Sequence, residues 1–239
     1  MTATPAAAAD REQTGALAAF KERLKRFAHG VLGPVVSGLA RLGLTADHVT
    51  WLGLILGVAA GAAFFEGNSQ LAAALLLAGG LCDILDGELA RRRGVSSRFG
   101  AFLDSTLDRF AEAAALVGIA GFGLRNLEAL AAVPGLAAGE IQIELYPMTW
   151  MVLVLLAVLS LVGSFMVSYT RARAEGLGIE CRVGWLERPE RIVILILAGA
   201  LHVFWAMSGA LLILTVLSFV TAGQRVVHVW KQTRRAGRD

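Results

Sequence analysis

The chain has 239 residues, of which 56% are hydrophobic and only 17% charged, and its formal net charge is +3. The length would permit one or two soluble domains, but this composition excludes an ordinary soluble protein, and no nucleic-acid partner is expected. Cys82 and Cys181 show neither disulfide nor zinc-site spacing.

Residues 1–14, opening "MTATPAAAADRE", lack the apolar stretch of a signal peptide and read as a disordered tail. From 15 to 42, basic and apolar residues alternate, with Leu17, Phe20, Leu24, Phe27 and Leu32 at roughly helical spacing. This predicts an amphipathic helix lying in the membrane interface, bent near Gly33-Pro34. Six transmembrane helices are then expected near 48–65, 70–90, 99–124, 147–174, 190–207 and 209–230. The yardstick is the roughly 20 apolar residues needed to cross about 30 Å of hydrocarbon. Only Met207-Ser208-Gly209 separates the last pair. The expected fold class is thus an all-α integral membrane protein with six spans and an N-terminal interfacial helix. Its single domain covers 43–231, and a basic tail follows over 232–239.

Basic residues gather before the first span (Lys21 to Arg41), between the second and third (Arg91 to Arg98), between the fourth and fifth (Arg171 to Arg191), and at the end (Arg225 to Arg238). On the other side, Arg125 is the only basic residue between spans. The positive-inside rule therefore places both termini on the cytoplasmic side of a multi-pass protein of the cell membrane. Such a pattern requires an even number of spans.

The stretch "CDILDGELARRRGVSSRFGAFLDSTLDR", residues 82–109, puts four aspartates at the mouths of two apolar helices. A carboxylate in hydrocarbon costs on the order of 2.5–3.5 kcal/mol even on lenient insertion scales, so four together need a partner. Positions three or four apart share a helix face, so Asp83 and Asp86 point one way from the second span. Asp104 and Asp108 do the same from the third, and the short connection makes the two helices antiparallel neighbours. Four like charges so close repel one another unless cations intervene. Two divalent ions would cancel them, and hard oxygen donors suit Mg²⁺, with Mn²⁺ a possible substitute. Gly87, Ala90 and Gly100 leave backbone accessible to a bulky phosphate compound, and Arg91 lies one turn beyond Gly87.

The full pattern, D-x2-D-G-x2-A-R-x8-G-x3-D-x3-D, resembles the signature of the CDP-alcohol phosphotransferase family at every fixed position. That resemblance implies a six-helix membrane enzyme, commonly a homodimer. Such enzymes displace CMP from a CDP-linked lipid or alcohol with a second alcohol. It further implies that Asp83, Asp86, Asp104 and Asp108 ligate metal and that Asp108 is also the general base. Gly87, Arg91, Ser97 and Gly100 would contact the CDP donor. The stretch "LTADHVT" resembles the nucleotide-contacting entry to the first helix and adds Asp47, His48, Val49 and Thr50. No activated Ser, Cys or His nucleophile accompanies the pattern, which favours direct displacement over a covalent intermediate.

Five arginines lie in "SYTRARAEGLGIECRVGWLERPERIVIL", residues 168–195, and basic loops of this kind commonly anchor topology. Pro189 suits the first turn of the fifth helix, where a cationic Arg191 opposes the helix dipole. Either an anionic ligand or an ion pair with Glu187 or Glu190 must offset it. "SYTRARAE" and "ERPER" resemble the phosphatidylinositol-phosphate synthase branch. This implies CDP-diacylglycerol as donor, inositol 1-phosphate as acceptor, and Arg171, Arg173 and Arg191 as ligands of the acceptor phosphate. Two alternatives stand beside it: phosphatidylglycerophosphate synthesis from glycerol 3-phosphate, and a divalent-cation transporter. The transporter should carry its ligands near the midplane, whereas this acidic cluster is one-sided.

Overall fold

A computed structural model describes residues 33–93, 97–132 and 145–236. The expected tail over 1–14, the interfacial helix up to residue 32 and the end of the basic tail lie outside these residues; 33–41 is helical. Six helices follow: α1 Ala46–Phe65, α2 Ser69–Arg93, α3 Arg98–Ala131, α4 Leu145–Glu175, α5 Arg188–Leu201 and α6 Phe204–Ala236. Among the described residues, all regular structure is helical. Five helices (all but α5) are long and apolar enough to cross a membrane, which makes the chain a multi-pass membrane protein.

Helix starts follow local capping chemistry. The Thr45 amide donates to His48 Nδ1 at 3.1 Å, and Asp47 lies in the first turn of α1, where the helix dipole favours an anion. Ser97 Oγ accepts from the Gly100 amide at 2.8 Å and opens α3. The Glu187 amide donates to Glu190 Oε2 at 3.0 Å, with Pro189 in the first turn of α5.

The last helix pair departs from expectation. The break falls at His202-Val203, and Met207, Ser208 and Gly209 lie inside α6. His202 adopts the left-handed conformation (φ 51°), which ends α5 after 14 residues, and its Nδ1 lies 2.6 Å from Ser69 Oγ. A glycine within an apolar helix is tolerated, so Gly209 marked no boundary.

The helices close a ring in which each packs mainly against two neighbours, in the order α1, α3, α4, α6, α5, α2 and back to α1. Ala60, Phe64, Leu116, Leu153, Leu195 and Leu211 fill its centre. Lipid offers little hydrophobic drive for helix association, so close backbone approach and polar contacts matter more. A Cβ at Gly57 would collide with Ala111, and one at Gly61 with the Ala114 carbonyl, so α1 and α3 pack backbone to backbone. Gly53, one turn earlier, faces Cys82 of α2 at an ordinary 3.6 Å. Between α4 and α6, Ser160 Oγ donates to the Leu211 carbonyl at 3.0 Å and lies 2.9 Å from Thr215 Oγ1.

Candidate active site

The ring brings the end of α2, the start of α3 and the start of α5 to one place. Carboxylate oxygens of Asp83, Asp104 and Asp108 lie within 4.8 Å of one another. Asp86 stands beside them, 6% exposed, and accepts from Thr50 Oγ1 of α1 at 2.8 Å. Two arginines face the cluster. Arg188 Nη1 is 3.1 Å from Asp83 Oδ2 and its Nη2 is 2.6 Å from Asp108 Oδ1. Arg109 Nη1 lies 3.7 Å from Asp108 Oδ2. Asp104 Oδ1 is buried without a hydrogen-bond partner. A trio of converging hard-oxygen donors, one of them unsatisfied, fits a divalent cation of the Mg²⁺ type.

The remaining sequence candidates divide into two groups around this centre. Asp47, at the start of α1, approaches the start of α3: its Oδ1 would be 3.8 Å from a Cβ at Gly100. Arg91 folds back over Gly87, since a Cβ there would lie 3.4 Å from Arg91 Nη1, and pairs with Glu88 at 3.0 Å. Arg92 joins Glu88 at 3.2 Å to Ser37 Oγ at 3.0 Å, which ties the 33–41 helix to α2. His48 and Ser97 serve as caps, while Val49 is buried with Val36, Cys82 and Leu89.

Arg171 pairs with Glu175 at 2.9 Å and approaches Glu187 at 3.7 Å, whereas Arg173 is exposed. Arg191 is buried and grips Glu112 of α3 with two hydrogen bonds, at 2.6 and 2.8 Å. Its carboxylate partner is therefore Glu112 rather than Glu187 or Glu190, and Ser164 Oγ adds a third hydrogen bond to it at 2.8 Å.

Sequence reasoning missed three residues. Glu112 extends the face of Asp104 and Asp108 by another four positions, a periodicity that could have found it. Arg188 reads from the sequence as a cation in or beside the first turn of α5, with no sign of its partner, because its reach to Asp83 spans 105 positions. Arg225 passed for a topology charge, yet it is 2% exposed, donates to the Val183 carbonyl at 2.9 Å and comes within 3.9 Å of Glu187.

A cavity of about 290 Å³ opens from the carboxylates into the bundle. Asp83, Asp86, Asp108 and Arg188 line it together with an apolar wall that includes Leu76, Ile84 and Ile196. A charged mouth leading to an apolar interior suits a molecule with an anionic head and a hydrocarbon body.

Fold and site together define a multi-pass membrane protein with a carboxylate cluster beside an apolar cavity. Residues 43–222 match the CDP-alcohol phosphatidyltransferase family, and the chain belongs to that family, which makes it a transferase. It is 37% identical to the archaetidylinositol phosphate synthase of Methanothermobacter thermautotrophicus, over 90% of this chain and 94% of that one. Identity to the phosphatidylinositol phosphate synthase of Mycobacterium marinum is 35%, over 84% of this chain and 80% of that one. The crystal structure of the Mycobacterium tuberculosis phosphatidylinositol phosphate synthase with CDP-DAG bound superimposes with a TM-score of 0.67 at 33% identity, covering 82% of this chain and 92% of that one. The same enzyme in complex with manganese and citrate also gives 0.67, over 82% of this chain and 88% of that one.

Proposed function

We propose that this chain transfers the phosphatidyl group of CDP-diacylglycerol to inositol 1-phosphate, releasing CMP and forming phosphatidylinositol phosphate. The observation that carries the reaction is the convergence of Asp83, Asp104 and Asp108 at the mouth of an apolar cavity. The names of the relatives, with the arginines gathered near the start of α5, support the acceptor.

Asp83, Asp86, Asp104 and Asp108 would hold divalent cation, two Mg²⁺ ions in this reading, with Thr50 fixing the Asp86 carboxylate. When bound, such ions polarise the diphosphate and offset the charge on departing CMP. Gly87, Arg91, Ser97 and Gly100, with Asp47, His48, Val49 and Thr50, would hold the CDP moiety. Val49 contributes there only through the packing that positions its neighbours. Asp108 takes the proton from the acceptor hydroxyl, whose oxygen forms the new bond to the lipid-bearing phosphorus as the bond to CMP breaks. Arg171, Arg173 and Arg191 would receive the acceptor phosphate. Arg225 joins them because it shares Glu187 with Arg171. A guanidinium already oriented by Glu112 loses less freedom on meeting a phosphate than a free side chain does.

The same reading takes α5 as a sixth crossing, with both termini and the carboxylates on the cytoplasmic face of the cell membrane, and the enzyme as a homodimer. Support for the crossing is geometric. Arg188 meets Asp83 at one end of α5, and His202 meets Ser69 at the other. The helix therefore runs antiparallel along the whole stretch of α2 that leads to the carboxylates. Purified protein given CDP-diacylglycerol should release CMP with inositol 1-phosphate, and poorly with free inositol. Glycerol 3-phosphate outcompeting inositol 1-phosphate would overturn the acceptor and leave the family standing.

A further inference from the structure

Arg188 is the first residue of α5, placed where a positive charge opposes the helix dipole. Its surroundings compensate. One terminal nitrogen lies 3.1 Å from Asp83 Oδ2 on α2, and the other lies 2.6 Å from Asp108 Oδ1 on α3. The side chain is only 19% exposed, and its Nε is buried with no hydrogen-bond partner. Burying a planar five-donor cation with one donor unmet is unfavourable unless strong charge-assisted bonds offset it. Both carboxylates it grips belong to the trio that converges within 4.8 Å, whereas the third, Asp104, keeps a buried oxygen unpartnered. Arg188 thus satisfies two of the three carboxylates, while the other nearby cation, Arg109, comes no closer than 3.7 Å to Asp108.

We propose that Arg188 is a tethered counter-cation of the acidic cluster, and that it competes with divalent metal for Asp83 and Asp108. The inference rests on the metal-site reading above. An ion held by the trio must draw on the same carboxylates that Arg188 contacts. A guanidinium left beside that ion would repel it over a few ångströms of poorly screened space. Ion binding and the Arg188 contacts therefore weaken each other, and by linkage each does so to the same extent. Arg188 ties the start of α5 to both α2 and α3, beside the Arg191–Glu112 pair to α3, so the competition links metal loading to the seating of the start of α5. The arginine holds three carboxylates together that would otherwise repel, and in exchange it keeps the ion's affinity moderate.

The test measures Mn²⁺ binding to the full-length protein in nanodiscs by the electron-spin resonance of free Mn²⁺, with no substrate and no turnover. Arg188→Gln should bind Mn²⁺ about tenfold tighter than wild type. It should also melt lower without divalent ion and gain more from its addition. Arg188→Lys keeps the charge but loses the planar fork whose two terminal nitrogens each meet one carboxylate, so its affinity should rise by a smaller factor. Equal or weaker Mn²⁺ affinity in the variants overturns the proposal. Should Arg188→Gln not fold, Arg188→Lys decides on the same criterion. Asp104→Asn separates the two readings. If it abolishes Mn²⁺ binding while the Arg188 variants leave affinity unmoved, only the counter-cation fails. Wild-type protein that binds no Mn²⁺ overturns the metal site and the counter-cation together.

Discussion

Asp108 sits between two guanidinium groups, Arg188 at 2.6 Å and Arg109 at 3.7 Å, at the point where the polar mouth meets the apolar cavity. Asp108→Asn keeps its shape but removes both the base and one charge. CMP release should fall by at least about a hundredfold while CDP-diacylglycerol still binds. A variant that retains more than roughly a tenth of wild-type turnover would remove Asp108 from the role of base. Arg191 differs, because it combines a proposed acceptor contact with a buried ion pair to Glu112. Arg191→Gln should raise the KM for inositol 1-phosphate about ten- to a hundredfold and leave the KM for the donor nearly unchanged. It should also cost about 3–5 kcal/mol of stability, since the Glu112 carboxylate stays buried without its partner. Adding Glu112→Gln should restore much of that stability but not the acceptor KM. Recovery of both would reduce Arg191 to a structural residue. The convergence of Asp83, Asp104 and Asp108 was legible in the sequence because fixed spacing along two adjacent helices encodes it, whereas Asp86 stands beside them on Thr50. Glu112 continues the four-residue spacing of Asp104 and Asp108, but Arg188 and Arg225 were hidden because their partners lie across the ring, where no local spacing points.

α1 owes its place to its glycines. Gly57 and Gly61 press onto Ala111 and Ala114 of α3, on the segment that carries Asp108 and Glu112. Gly57→Leu should therefore push α1 and α3 apart. The expected cost is about 1–3 kcal/mol or more, seen as lower folded yield and melting temperature in detergent. Gly53→Ala, whose Cβ would meet only ordinary contacts, serves as the control and should melt near wild type. Equal behaviour of the two variants would mean that α1 and α3 do not pack this tightly. Gly53, Gly57 and Gly61 recur every fourth residue, a spacing that does not tell that Gly53 faces α2 while Gly57 and Gly61 face α3. A similar blindness misplaced the end of α5. Residues on both sides of His202 are apolar, so polarity carried no boundary signal, and the stop came from a left-handed histidine tied to Ser69 on another helix.

At the scale of the molecule, the topology turns on α5 as a sixth crossing. Its 14 residues span only about 21 Å at the usual helical rise, short of the hydrocarbon thickness. Yet it need not face lipid alone, because it packs against α2 and α6 within the ring. Its contacts at Asp83 and Ser69 match the depth of α2's own apolar stretch. A short span can be accommodated by local thinning or by arginines reaching the interface, at modest cost. The consequence concerns which side each loop occupies. Arg182 lies in the loop before α5 and is exposed, as are Gln232 near the end of α6 and Glu128 near the end of α3. With Cys82 and Cys181 buried, a cysteine introduced at each of these positions can be read separately with a membrane-impermeant maleimide. If α5 crosses, Arg182→Cys and Gln232→Cys must react from the same side, the cytoplasmic one, and Glu128→Cys from the opposite side. If α5 returns to the face it left, Gln232→Cys reacts together with Glu128→Cys. That second pattern would place the C-terminus outside. It would also break the positive-inside arrangement, because the basic end of α6, with Lys231 and Arg234, would then face away from the cytoplasm.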